Sequence, residues 1–459
     1  MDQKKLVIII AALTQLTTQF IANMVILAMP KIGLDLNLPV TFETTIYIIY
    51  LVAVVACTMP LSKIVSQHGI RRCMLICNAA LIISLLVSAF APNVYFIFIS
   101  RAIQGISVAV LLVVIYVLLV RTLPENEVGT ALGIVGSCGY IGMMIAPTLM
   151  GVLLHFTHWR IAFLAFIPLL IIQLILLLRV KKEFKTDPKP IDKLGIILFV
   201  SAMLLFVAGM NTLHAHGMIL IILSIIVFMI FVWYEKGKDY AMYNVSLLKD
   251  WKYVIGNYAA MVTYFVSSIT TLILNYHLLY IDNYTPIEIG LVLLVTPMVM
   301  TVVAIYAGRL SDRHDPRIIS GIGLSIIFFS MVLLLCMTKA SIDIIIMACI
   351  VQGIGHGLFS SPNNKYVLTK VSEKDLPDAT SLLATTKEFG KMISGIMYNF
   401  IFLFIFGGLD LGPDELDYLL YQVDFVMILI TALVCFSGAI LIFASKYLLK
   451  KSKTSGSNS

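Results

Sequence analysis

Apolar residues run through this chain in long blocks separated by short charged breaks. A helix needs about 20 apolar residues to cross the hydrocarbon core of a bilayer. By that measure fourteen blocks qualify, centred near Thr18, Ala53, Ile82, Val108, Ile141, Pro168, Met203, Ile225, Ile269, Pro297, Ile327, Ile350, Ser394 and Leu433. The pattern predicts an all-α integral membrane protein. The basic residues of the breaks fall almost entirely on one side. With the N-terminus cytoplasmic, the inside loops carry Lys63, Arg71, Arg72, Arg121, the basic run from Arg179 to Lys193, Lys236 to Lys252, Arg309 to Arg317, Lys365 to Lys374, and Lys446 to Lys453. The outside loops carry only Lys31 and Lys339, and the last of them, Gly407–Asp424, is acidic. Basic residues stay on the cytoplasmic side of a membrane, so both termini are expected inside, and the setting is a plasma membrane.

Composition supports the same class. Of 459 residues, 60% are hydrophobic and 12% charged, against roughly 25% charged in soluble domains, and the mean hydropathy is +0.99. The net charge of +7 belongs to residues flanking apolar runs, so it reads as loop bias toward the lipid bilayer and no nucleic-acid partner is expected. Lys4 and Lys5 precede an apolar run with no small-residue cleavage site, so that run should stay as the first helix. The seven cysteines lie within or at the edge of apolar runs without metal-ligand spacing. Neither a disulfide framework nor a metal site is expected, and no cofactor. There is no G-x-x-x-x-G-K-[ST] phosphate loop to support ATP drive, and no convergent catalytic set, so the chain does not read as an enzyme.

Self-comparison divides the chain. Arg101–Ser107, R-A-I-Q-G-I-S, matches Cys349–Gly355, C-I-V-Q-G-I-G, aligning Gln104 with Gln352 and Gly105 with Gly353. At the same offset Ala131 meets Ala379 and Gly142 meets Gly390, and at nearly that offset Ser62–Arg72 meets Gly308–Arg317. Repeats of this kind are a signature of transporters. The expected organisation is an N-terminal six-helix bundle over residues 1–180, linkers with two additional helices over 181–253, a C-terminal six-helix bundle over 254–446, and a disordered cytoplasmic tail over 447–459.

These motifs resemble those of the major facilitator superfamily, specifically its fourteen-helix drug:proton antiporters. G-R-L-S-D-R at Gly308–Arg313 is similar to the family's loop motif G-x-L-x-D-R, and R-A-I-Q-G at Arg101–Gly105 to its R-x-x-Q-G. Gly142, Pro147 and Gly151 fall where the antiporter motif places glycine and proline. Departures are Ser62 and Ser66 in the first loop, Ala146 and Met150 at two glycine positions, and Ile21 where the first helix often carries an acid. The resemblance implies two bundles rocking about a central cavity and an exporter of hydrophobic or amphipathic compounds, drugs and cationic ones among them, in exchange for protons. It also implies a monomer. The rival expectations are an exporter of a specific lipid or metabolite, and a transporter-like receptor that no longer translocates.

The resemblance makes Gly308, Arg309, Asp312, Arg313 and Arg317, with Gly69, Arg71 and Arg72, a cytoplasmic gate; on charge alone they form a topology-setting turn. It makes Arg101 a cavity residue responsive to proton loading, where the alternative is snorkelling to the outer interface. Glu388 and Lys391 are i,i+3 neighbours deep in a helix and form either a coupling site or a self-neutralising pair, with Lys387 beside them. Gln15, Gln19 and Asn23 repeat every four residues and present one polar stripe. Asn275 and His277 are expected to face that stripe and, with Gln104, to line a cavity; the alternative is interhelical hydrogen bonding.

Overall fold

The computed structural model describes residues 3–38, 40–122, 125–180, 192–211, 216–236, 238, 245–337, 341–368, 376–406 and 413–455. The apolar blocks become α1 (Gln3–Leu36), α2 (Val40–His68), α3 (Ile70–Ala89), α4 (Val94–Thr122), α5 (Glu125–Phe156), α6 (Trp159–Leu164), α7 (Ile167–Leu178), α8 (Lys193–Asn211) and α9 (Gly217–Glu235), followed by α10 (Trp251–Tyr276), α11 (Pro286–Arg313), α12 (Pro316–Leu334), α13 (Ile342–Leu368), α14 (Leu376–Phe406) and α15 (Pro413–Ser455). Successive helices run in opposite directions, α6 and α7 together making one traverse, so the molecule has a near end, carrying the N-terminus, and a far end.

Fourteen spans were expected, whereas twelve helices among the described residues are long and apolar enough to cross a membrane. Of the remainder, α8 is apolar but short, and α14 carries Lys387, Glu388 and Lys391 within its buried length. The stretch expected as a tail from residue 447 continues α15 as helix to Ser455. The expected outside loop Gly407–Asp424 is likewise shorter, because α15 begins at Pro413 and Asp424 is buried within it.

Helix packing repeats itself. In the first group α1 lies along α5, and α2 along α4; in the second, α10 lies along α14, and α11 along α13. The glycines aligned by self-comparison sit at equivalent crossings. A Cβ added to Gly142 would lie 2.3 Å from the Leu16 carbonyl oxygen on α1, and one added to Gly390 would lie 2.3 Å from that of Met261 on α10. Gly105 abuts the Tyr50 carbonyl on α2, and Gly353 the Thr296 carbonyl on α11. Helices in lipid gain little from apolar burial against one another, so close backbone approach at small residues is what holds them together.

The two groups meet where α5 lies along α11 and α2 along α14. Among the described residues, several bonds cross this seam toward the far end. Thr148 donates to the Gly290 carbonyl at 3.3 Å, Thr44 to Asn399 at 2.9 Å, and Asn275 to the Ile26 carbonyl at 3.1 Å. Deeper in, Tyr140 donates to Ser360 at 3.0 Å. Helix α8 pairs with α9 and leans on α2 and α14, where Phe206 meets Phe389 with ring centroids 6.0 Å apart.

Candidate functional site

Between α1, α5, α10, α11 and α13 lies a cleft of about 30 Å³, room for about one water molecule. Its walls carry Asn23, Ser267, Thr270, Thr271, Thr296 and Gln352 among apolar residues such as Leu27, Met143 and Leu274. Every polar group on that wall is neutral. Gln352 is fixed by donating to Thr270 Oγ1 at 2.9 Å.

Of the expected stripe, only Asn23 reaches this cleft. Gln15 is buried against Gly139 of α5, whose lack of a side chain makes space for it. Gln19 is half-buried, and its carbonyl accepts from the Asn23 amide at 2.7 Å. Beside them Gln173 of α7 donates to Thr14 and accepts from Thr17. That position was not anticipated, since a single glutamine in an apolar run gives no periodic signal.

Arg101 does not snorkel. It is 0% exposed, donating to Gln104 at 2.6 Å and to the Ile21 and Ile46 carbonyls at 3.3 and 3.4 Å. Its guanidinium lies 4.4 Å from the centroid of the Tyr50 ring. An unpaired charge inside a membrane is costly, about 2.5–3.5 kcal/mol on insertion scales, and these acceptors and the π-face offset that cost. Gln104 is therefore tied to Arg101 and is not among the residues lining this cleft, while its counterpart Gln352 is. The reason is chemical: the second half has Cys349 where the first has Arg101.

In the second group, Lys391 donates to Glu388 at 2.8 Å, and the two residues are 8% and 7% exposed. Lys387 donates to Asn364 of α13 at 2.9 Å. Both lysine ammonium groups lie 5.4 Å from the Tyr264 ring centroid. Across the seam, Tyr47 shares a 2.7 Å hydrogen bond with Ser268 and lies within electrostatic reach of both Glu388 and Arg101. Tyr50, one turn along α2, lies within the same reach of both charges.

The pairing expected for His277 fails. It does not face the α1 stripe but bonds Asp424 of α15 at 3.0 Å, both side chains fully buried. The reason is local backbone: α10 ends in a π-helical turn, His277–Ile281, and such a turn rotates side chains off the helical register. Asn275, two residues earlier, does reach α1, though through the Ile26 carbonyl. Glu43 was also not anticipated. It is 3% exposed near the far end of α2, accepting from Tyr276 Oη of α10 at 3.3 Å.

At the near end, Gly69 has φ 104° at the turn into α3, a conformation that favours glycine. Arg71 donates to the Leu177 and Leu178 carbonyls at the end of α7, and Arg72 is exposed. Gly308 faces Ser361 of α13. Arg317 pairs with Asp315, which caps α12, and Lys365 donates to the Ser311 carbonyl at 3.0 Å. Arg309, Asp312 and Arg313 lie in the last turns of α11; their side chains, with those of Ser62 and Ser66, are outside the described residues. Of the antiporter-motif positions, Gly142 meets α1, whereas Pro147 and Gly151 meet α11. A Cβ on Gly151 would lie 2.3 Å from the Pro286 carbonyl oxygen, and one on Gly290 would lie 2.8 Å from that of Pro147.

Similarity to known proteins agrees with this architecture. The chain is 25% identical over 405 residues to the riboflavin transporter RibZ of Clostridioides difficile, spanning 88% of this chain and 89% of that one. It is 23% identical over 391 residues to the multidrug efflux pump LfrA of Mycolicibacterium smegmatis, covering 82% and 76%. With the lincomycin resistance protein LmrB of Listeria innocua it shares 24% identity over 315 residues, 66% of each chain. The fold is that of the human organic anion transporter MFSD10, with a TM-score of 0.66 at 11% identity over 96% of this chain and 99% of that one. The family model of the Major Facilitator Superfamily matches residues 11–248 and 257–458, and the chain, a multi-pass membrane protein and secondary transporter, belongs to that superfamily.

Proposed function

We propose that this transporter exports hydrophobic or amphipathic compounds in exchange for protons by alternating access. The observation that carries the reading is the Glu388–Lys391 pair, buried in α14 with its carboxylate within electrostatic reach of Tyr47 of the opposite group. Protonating that carboxylate leaves Lys391 unpaired beside the seam, which changes how the two halves hold one another. The pair thereby links proton binding to the relation between the two halves. The seam bonds found at the far end among the described residues support a state closed there.

In this reading the near end is cytoplasmic, since it carries the basic residues, and both termini lie inside. Helices α8 and α14 cross the membrane with the other twelve, giving two six-helix bundles, residues 1–180 and 254–446, around the α8–α9 pair. The working unit is a monomer in the plasma membrane. The cluster Gly308–Arg317, with Asp312 and Arg313 at the end of α11, latches the cytoplasmic ends, and Asp312→Asn should cripple transport while leaving insertion intact.

The test uses purified protein in liposomes with an imposed pH gradient and a panel of fluorescent amphipathic substrates. Gradient-driven flux in the wild type, lost in Glu388→Gln, is expected; equal flux in both would make the pair structural. A second reading draws on RibZ and on the neutral polar lining of the cleft, which offers hydrogen bonds but no counter-charge: a planar, uncharged, hydroxyl-rich substrate such as riboflavin. Flux of labelled riboflavin that unlabelled riboflavin, but not a hydrophobic cation, competes away would favour it.

A further inference from the structure

Glu43 plays no part in the mechanism above, yet it is a carboxyl group buried where four helices meet at the far end. Its Oε1 occupies space that Gly33 of α1 leaves free: a Cβ on that glycine would lie 2.0 Å from it. On the other side, the hydroxyl of Tyr276 on α10 bonds its second oxygen at 3.3 Å. Next along α2, Thr44 is bonded to Asn399 of α14, and the Tyr276 ring is stacked on Tyr398 and Tyr280, with centroids 5.6 and 6.0 Å apart. Glu43 is thus sealed by residues of both halves at the point where they close.

Each surrounding element supplies titratable groups, and none of them neutralises Glu43. From α1, Lys31 is engaged with the Leu154 carbonyl, and Asp35 with Arg160, Trp159 and His158. From α10 and α14 come the phenols Tyr276, Tyr280 and Tyr398. Beyond Tyr398, Asp424 of α15 is held by His277. Among the described residues, the partner that bonds Glu43 is one neutral hydroxyl. A buried carboxylate needs a counter-charge or several donors; a neutral carboxylic acid needs only what this site offers.

We propose that Glu43 is a proton-operated seal for the far end. Protonated, it packs between Gly33 and Tyr276 and the halves stay closed there; ionised, it must regain water, and the seam opens. The inference deepens the proton-exchange reading and rests on it for its physiological use. The mechanical claim can be tested without any substrate.

The test is hydrogen–deuterium exchange of the purified chain in lipid nanodiscs over a pH series, corrected for intrinsic exchange. In the wild type, exchange in segments 31–48 and 276–290 should rise with pH, up to about tenfold per unit once Glu43 ionises in the open state. Glu43→Gln, which mimics the protonated acid, should hold those segments at low exchange throughout. Tyr276→Phe and Asp424→Asn should both retain the pH response. A wild type flat in pH, or a Glu43→Gln variant that follows the wild-type curve, overturns the seal. So does loss of the response in Asp424→Asn together with its persistence in Glu43→Gln. Because no transported compound is involved, failed liposome flux with intact pH-dependent exchange would count against the exporter reading alone.

Discussion

At the scale of single residues, the buried charges of this protein are held by neutral neighbours as much as by opposite charge. Arg101 illustrates this, since its fork reaches Gln104 and two carbonyls on different helices while its face covers Tyr50. Lysine keeps the charge but not the planar fork. Arg101→Lys should therefore lose at least one carbonyl contact at a charged donor, on the order of 2–3 kcal/mol, read as a lowered thermal midpoint in detergent; an unchanged midpoint would make the carbonyl contacts incidental. The position of Arg101 was legible from the sequence, but its full burial was not, because depth along a helix does not say which face turns inward. His277 shows the other limit. A π-helical turn has no periodic signature, so its turn toward Asp424 could not be inferred. Glu43 escaped because an acid at the start of an apolar block reads as a loop residue.

Between elements, packing rests on glycine crossings and on local clamps. Gly136, Gly139 and Gly142 share a spacing that predicts one smooth face, yet their environments differ. Gly142 has backbone within 2.3 Å of an added Cβ, and Gly136 has nothing within 4 Å. Gly142→Ala should push α1 off α5 and cost about 1–3 kcal/mol. Gly136→Ala should be neutral or stabilising, through the higher helix propensity of alanine, by up to about 1 kcal/mol. Thermal unfolding of the two variants side by side checks the contrast, and equal losses would remove the close-approach argument. The α8–α9 pair has an electrostatic clamp at its near end, where Asp192 accepts from the Gly195 amide and from Lys238 at 2.8 Å. Burial alone would raise the Asp192 carboxyl, but the Lys238 ammonium and the Gly195 amide outweigh it and hold the group below its usual 3.8. Lys238 is correspondingly raised, burial opposing and Asp192 prevailing. The clamp's contribution is then fully present above the ordinary carboxylate range. It is lost as pH falls through the lowered Asp192 value, or as pH rises through the raised Lys238 value. Protection of the first turn of α8 against hydrogen exchange should therefore be flat around neutrality, fall in acid, and be reduced at neutral pH in Asp192→Asn.

For the whole molecule, the repeat at constant offset was the strongest thing the sequence held. Gly105 with Gly353, and Gly142 with Gly390, take equivalent places at equivalent helix crossings, which is why so few matches sufficed. What self-comparison could not supply is how the halves lie against each other, because the seam is not repeated within either. It is made where α5 meets α11 and α2 meets α14, and its tightest points are Gly151 and Gly290, each against the backbone of the opposite helix. A side chain at either point has no flexible neighbour to displace. Gly290→Val should therefore keep the far end from closing while leaving each half intact. In intact cells, a thiol reagent that does not cross membranes should then modify Ser267→Cys in the cleft faster in the Gly290→Val background than without it. Transport should fall as that labelling rises, because a carrier held open at one end cannot complete its cycle. Unchanged labelling with normal flux would mean that the α5–α11 contact is not part of the closure.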